Sequence, residues 1–244
     1  IAQCLVGSEM CIRDSYERIC TIAHEYDMFV VEDACQGFGA QKDGKRAGSF
    51  GDVAATSFFP AKPLGCYGDG GAIFTDDDDL AVLIQSIRVH GQGKDKYDNV
   101  RIGINGRFDT MQAAVILAKL EIFEDELKRR AAIAKHYTEG GLSECLETPF
   151  VEDGEVSAWA QYTLKAKDST QRQQVLDALQ KAGIPSAIYY PIPIHKSTAY
   201  ENLDYDVSLP VTESLAERVF SIPMHPYLDE ESMNKIIATI KVGA

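Results

Sequence analysis

At 244 residues the chain has room for one large core or two smaller ones, and its 45% hydrophobic, 25% charged composition excludes fibrous, low-complexity and disordered classes. A net charge of -13 and a pI near 4.8 repel a phosphate backbone, so nucleic acid is not an expected partner, and any nucleotide must be met by a local cluster of cations. No stretch is apolar for the length a bilayer demands and no basic region precedes an apolar core near the start, so no membrane partner is expected and a cytoplasmic location follows by default. Cysteines 4, 11, 20, 35, 66 and 145 lack the close pairing of a zinc site, in a chain too large to need disulfide staples. They read as reduced structural thiols, with Cys66 a small packing residue rather than a reactive one.

The leader IAQCLVGSEMCIRDS has no period, resembles a read-through artefact of translated assemblies, and joins abruptly to YERICTIAHEYD, where Ile19, Ile22, Ala23 and Tyr26 recur at helical spacing. Residues 1–15 are therefore read as a non-native leader. FVVED at 29–33 reads as a buried strand whose acidic end meets solvent or a ligand, as strand ends do in open α/β sheets. VAATSFF and GAIFT are two further strands, clamping the loop PAKPLGCYGDGG between them. TDDDDLAVLIQSIRVHG reads as a helix capped by Thr75 or an early aspartate and ending near Gly91, so the acidic run is a cap rather than a metal site.

Residues 92–108 form a polar, Gly-rich loop, and a long helix from Asp109 to Gly140 and Gly141 bridges two domains. Beyond it come the alternating strand WAQYTLKA, the helix STQRQQVLDALQKAG, the strand SAIYY and a pair of helices around SIPMHPYL. With no internal repeat or linker, the boundary is placed near residue 130, giving a large-domain portion at 16–130 and a small α+β domain at 131–244.

A lysine in a glycine-rich loop is weak evidence of chemistry by itself. Here Asp33 at a strand end, Ser57 at another and then Lys62 fall near the carboxyl ends of neighbouring strands. Pyridoxal phosphate chemistry needs that set: an amine to form an imine, an acid beside the pyridine nitrogen, and hydroxyl and backbone donors for the phosphate. Each residue also has a local reading. Asp33 can be a helix N-cap, Ser57 a small strand residue and Asn105 a left-handed turn residue; the joint order and spacing favour the site.

The segments VVEDACQGFGA, GSFGDVAATSFFPAKPLGCYGDGGAIFT and RIGINGRFDTMQAAV resemble the DegT/DnrJ/EryC1/StrS sugar aminotransferases over residues 16–244. The resemblance implies an α/β chain of PLP-dependent fold type I, with part of the large domain's mixed sheet and a small C-terminal α+β domain. It implies a homodimer that moves an amino group from glutamate to a keto-sugar nucleotide with pyridoxal 5'-phosphate as cofactor. Residue by residue, Lys62 matches the imine lysine, Asp33 the partner of the pyridinium nitrogen, Gln36 the side chain over the ring near its phenolic oxygen, and Ser57 a phosphate-binding hydroxyl. Asn105 resembles the residue that reaches the neighbouring subunit's cofactor phosphate, and Arg107 one that contacts the anionic substrate there. In SAIYYPIPIHKSTAY, the residues Tyr189, Tyr190 and His195 match the sugar-nucleotide side. Their local readings are packing tyrosines and a surface histidine.

The wording FFPAKPLGCYGDGGA and VHGQGKDKYDNVRIG is most similar to enzymes that aminate a UDP-linked 3-oxo-2-acetamido uronic acid in bacterial surface-polysaccharide (O-antigen) synthesis, with Lys96, Arg101 and Arg107 available as cations. Members carry upstream a phosphate-binding Gly-Thr turn and a ring-stacking aromatic that are not in this sequence. The resemblance thus implies a fragment that binds its cofactor poorly and is inactive. Two other readings stay open: a non-catalytic regulator or partner subunit of the same fold, against which intact Asp33 and Lys62 speak, and a nucleotide-binding domain, against which the strand after GCYGDGG speaks.

Overall fold

A computed structural model describes residues 16–200 and 208–244; the leader at 1–15 lies outside the described residues. The chain forms two compact units, an N-terminal one (16–124 with 154–158) and a C-terminal one (125–153 with 159–244), dividing inside one long helix between Glu124 and Asp125. Among the described residues no helix is long and apolar enough to cross a membrane.

The N-terminal unit opens with α1 (Tyr16–Glu25), followed by β1 (Val31–Asp33), β4 (Val53–Ser57) and β5 (Gly71–Phe74), which make one sheet in the order β1-β4-β5. Strand β1 runs parallel to β4 with Val31, Glu32 and Asp33 opposite Val53, Ala54 and Ala55, while β5 returns antiparallel, with Gly71 opposite Ser57. Side chains alternate across this sheet, so Glu32, Ala54 and Thr56 are buried on one face and Asp33, Ala55 and Ser57 share the other. Glu32 is 1% exposed, and its carboxylate accepts from the backbone N–H groups of Gly48, Phe50 and Gly51 at 2.6, 2.7 and 3.3 Å. A buried carboxylate is tolerated because those donors replace water. Strands β2 (Gln41–Lys42), β3 (Lys45–Arg46) and β6 (Glu155–Val156) form a small ribbon, unforeseen because two-residue strands leave no period to read.

Helix α2 (Asp78–Arg88) is capped by Asp77, whose side chain accepts from the Leu80 N–H at 2.9 Å. Asp78 and Asp79 fill its first turn, where the helix dipole favours acids. Thr75 sits two residues before the cap, linking the Asp77 N–H to the Asp52 carbonyl. Helix α3 (Thr110–Glu139) starts at Asp109, which accepts from Met111 and Gln112, and stops at Gly140 and Gly141, the latter at φ 91°.

In the C-terminal unit, β7 (Tyr162–Lys165) and β8 (Val219–Ile222) pair antiparallel, packed with α4 (Ser169–Lys181) and α6 (Glu230–Gly243), while α5 (Pro210–Arg218) leads into β8. Tyr137, Leu142, Tyr162, Leu164, Leu179, Phe220 and Ile240 are fully buried. Tyr137 donates to the Pro223 carbonyl at 2.8 Å, and Tyr162 shares a 2.7 Å bond with Thr138. Burial raises the pKa of both phenols, so each stays a neutral donor.

Three sequence expectations change here. FVVED is not a buried strand throughout: Phe29 is 82% and Val31 71% exposed, and only Val30 and Glu32 are covered. SAIYY is not a strand: only Ala187 bridges, exchanging two backbone hydrogen bonds with Ser221, and Pro185 and Pro191 on either side remove the donors a ladder needs. VFSI at 219–222 is a strand, buried at all four positions, and such a run has no alternation by which to recognise it.

Candidate active site

Strand register brings the acid and the hydroxyl together. Asp33 ends β1, Ser57 ends β4, and the Ala34 N–H bonded to the Ala55 carbonyl at 2.8 Å holds the two strands in register past Asp33. Both side chains therefore rise from one face at the carboxyl end of a parallel pair, where open α/β sheets leave a crevice. No helix follows β1: residues 35–39 form turns, and the exposed Asp33 carboxylate accepts the Cys35 N–H at 3.0 Å, an Asx turn rather than a helix cap. Gln36 lies half-buried in that same turn.

Lys62 follows Ser57 in the loop 58–70. The Ser57 hydroxyl accepts the Phe59 N–H at 3.2 Å, Lys62 N bonds to the Phe59 carbonyl, and the loop closes by Phe58 N to Gly70 O and Cys66 N to Phe58 O, both 2.8 Å. Gly65 permits this fold, since a Cβ there would stand 2.7 Å from the carbonyl oxygens of Phe59 and Pro60. Cys66 is fully buried, its thiol directed at the carbonyls of Phe58 and Gly68, so it acts as a packing residue.

The Lys62 ammonium acts electrostatically on the Cys35 thiol, two residues beyond Asp33. Burial, then the Asp33 carboxylate, push the Cys35 thiol up to about 11, while the Lys62 ammonium opposes them. At neutral pH Cys35 is thus a thiol, not a competing nucleophile. Tyr16, stacked on Phe50 at 5.3 Å, is pushed up to about 12 by burial and then by Glu32 and Asp33. An exposed carboxylate, a hydroxyl and a primary amine at one strand end match what pyridoxal phosphate needs: an acceptor for a ring N–H, a donor for phosphate and an amine for the carbonyl.

Asn105 is not a left-handed turn residue. It bridges Val89, and its neighbours Ile104 and Gly106 bond back to residues 87, 88 and 90 at the end of α2. Gly91, at φ +75°, allows this return, because a Cβ there would meet the Arg101 carbonyl oxygen at 1.8 Å. Asn105, Arg101 and Lys96 are exposed, and the exposed Arg107 guanidinium lies 3.0 Å from His90 Nε2.

Tyr189, Tyr190 and His195 belong to the C-terminal unit. The two tyrosine rings meet edge to face at 5.8 Å, and Tyr190 is 56% exposed. His195 Nε2 is 3.0 Å from Glu213, which also accepts from Lys196 at 2.6 Å. Lys196 first and His195 next pull the Glu213 carboxyl down to about 2.

Sequence reasoning passed over Glu32, Cys35, Gln112 and Lys119. Glu32 could have been found from strand alternation, which sends two successive acids to opposite faces. Gln112 and Lys119, seven residues apart on α3, carry a helical spacing whose polar partners only the fold identifies.

The chain is 47% identical over 225 residues to UDP-2-acetamido-2-deoxy-3-oxo-D-glucuronate aminotransferase of Pseudomonas aeruginosa, covering 92% of this chain and 61% of the relative. Its fold matches the crystal structure of a DegT DnrJ EryC1 StrS aminotransferase from Brucella abortus with TM-score 0.88 and 50% identity, over 93% of this chain and 60% of that one. S. venezuelae DesV, solved in complex with a ketimine intermediate, matches with TM-score 0.86 and 34% identity, over 93% and 60%. The chain thus spans about 60% of the length of the relatives it matches. The fold is the α/β fold of the PLP-dependent sugar aminotransferases, and pyridoxal phosphate is the cofactor of that group. With residues 13–241 matching its profile, this chain belongs to the DegT/DnrJ/EryC1/StrS aminotransferase family.

Proposed function

We propose that the chain carries the cofactor-anchoring part of an aminotransferase that moves an amino group from glutamate to a nucleotide-linked keto-sugar. The observation that carries this reading is that Asp33 and Ser57 end neighbouring parallel strands on one face, with the loop of Lys62 following directly from Ser57. When bound, pyridoxal phosphate supplies a carbonyl that joins an amine and a ring that takes up negative charge as the neighbouring C–H proton leaves. The Asp33 carboxylate holds the proton on the ring nitrogen, and Gln36 covers the ring near its phenolic oxygen. The Ser57 hydroxyl donates to the phosphate. Lys62 would supply the amine that joins the cofactor's carbonyl carbon and, once free, would take the proton from the substrate carbon and deliver it to that cofactor carbon, on the far side of the linking nitrogen. Asn105 and Arg107 serve a second copy of the chain in a homodimer, the former at its phosphate and the latter at its anionic substrate. Tyr189, Tyr190 and His195 face the sugar nucleotide.

The 47% relative named for a UDP-linked 3-oxo-glucuronate supports a UDP-3-oxo-2-acetamido uronic acid as the acceptor; a place in surface-polysaccharide (O-antigen) synthesis is part of the proposal and rests on the sequence resemblance alone. Lys96, Arg101 and Arg107 are the exposed cations available to such an anion in an acidic chain. Borohydride reduction of the full-length gene product with pyridoxal phosphate, followed by peptide mapping, tests the core of the reading. A reduced pyridoxyl group on Lys62, with glutamate-dependent amination of the UDP-keto-sugar, is expected; a full-length protein with no adduct on Lys62 sinks it.

A further inference from the structure

The loop that carries Lys62 is held from outside itself by one face of α3. Gln112 and Lys119 lie seven residues apart, two turns along the helix, and so point to the same side. The Gln112 side-chain oxygen accepts the Tyr67 N–H at 2.7 Å. Two turns on, Lys119 Nζ donates to the Gly65 carbonyl and lies 5.0 Å from the centre of the Tyr67 ring. Both side chains are half-buried. Gly65 is also where the loop has no spare room, with the Phe59 and Pro60 carbonyls against the space a Cβ would occupy. Two helix side chains thus grip residues 65 and 67, and the hydrogen bonds at Phe58, Cys66 and Gly70 close the loop on its other side.

We propose that Lys119 and Gln112 are positioning residues for Lys62: they fix the backbone from which the reactive amine projects, without touching it. The inference rests on the proposed role of Lys62. A charge-assisted bond to a carbonyl, backed by a cation–π contact, is among the stronger non-covalent restraints available to a loop. A charged donor at Gly65 and an acceptor at Tyr67 leave the loop one backbone path. The precision of the amine's placement is then inherited from a long helix rather than from the loop itself.

The test compares Lys119→Met and Gln112→Leu with the conservative Lys119→Arg and Gln112→Glu in the full-length protein. Hydrogen–deuterium exchange of the amides in 59–70, which needs no cofactor, should rise on the order of tenfold in Lys119→Met and Gln112→Leu, while α4 and α6 stay unchanged. The yield of borohydride-trapped pyridoxyl group on Lys62 should fall by a similar factor at subsaturating cofactor. Lys119→Arg and Gln112→Glu should restore both readouts, because the first keeps a charged donor and the second an acceptor. Unchanged exchange in Lys119→Met overturns the clamp, and so does an arginine variant no better than the methionine one. If the parent protein traps no adduct at all, the functional reading fails, while the exchange comparison still decides whether the helix holds the loop.

Discussion

The two units treat their apolar residues differently. In the C-terminal unit, β7 and β8 are buried at every position but one, and Tyr137, Tyr162 and Phe220 are wholly inaccessible. In the N-terminal unit, β1 and β5 alternate between covered and open, leaving Val31 71% and Ile73 53% exposed. The polar groups of the candidate site stand on the open face of that second kind of sheet. A face that must admit a ligand cannot be packed solid, so rigidity there comes from hydrogen bonds: Glu32 on the loop at 48–51, Asp52 on the Val30 N–H and the α3 side chains on the lysine loop. Both units have packed cores, and directed polar contacts add rigidity where the N-terminal sheet is open.

Substitutions separate these two modes. The largest effect is expected at the site. Lys62→Ala abolishes the borohydride-trapped adduct completely while the unfolding free energy moves by less than about 0.5 kcal/mol, since a half-exposed loop lysine contributes little to stability. A large stability loss in that variant would break the comparison. Next is Phe220→Ala, which removes a fully buried ring and should cost about 3–5 kcal/mol. Trp159, the only tryptophan and packed against the same core, reports it in a urea titration followed by fluorescence.

Glu32→Ala leaves three backbone donors without their acceptor in a buried place and is expected to cost about 3 kcal/mol, read as faster amide exchange at 48–51. If that loop keeps its protection, the carboxylate is not what secures it. Acid stability distinguishes the units more finely. The Glu213 carboxyl is depressed from 4.5 to about 2 in the folded chain, so its contribution is fully present above pH 4.5 and is lost as pH falls toward 2. Glu213→Gln should flatten the melting temperature of the C-terminal unit across that window, and a slope identical to the parent's would refute the assignment. The smallest expected effect is Asp77→Ala, which removes the α2 cap at about 1 kcal/mol, measurable in the same titrations.

Much of the fold was legible from one sequence because its signals are local. Residues 78–88 and 110–139 announce their helices by acids at the start and glycine at or just past the end, and residues 71–74 by a short apolar run between turns. Elements whose identity depends on partners were not legible. SAIYY has strand composition, yet prolines confine it to one bridge, and VFSI shows no pattern because both of its faces are covered.

The amino-acid order by itself determined which residue types could do pyridoxal chemistry, and that Asp33, Ser57 and Lys62 each follow or end a strand, because hydrophobic runs and glycine-rich breaks are properties of neighbours along the chain. Tertiary structure alone decided that β1 and β4 are parallel and in a register that sets the acid and the hydroxyl on one face. It alone decided which of the two successive acids faces the interior, Glu32 rather than Asp33, and that a helix fifty residues on grips the lysine's loop. Those relations join residues distant in sequence, and only the pairing of strands and the packing of helices, both non-local, can specify them.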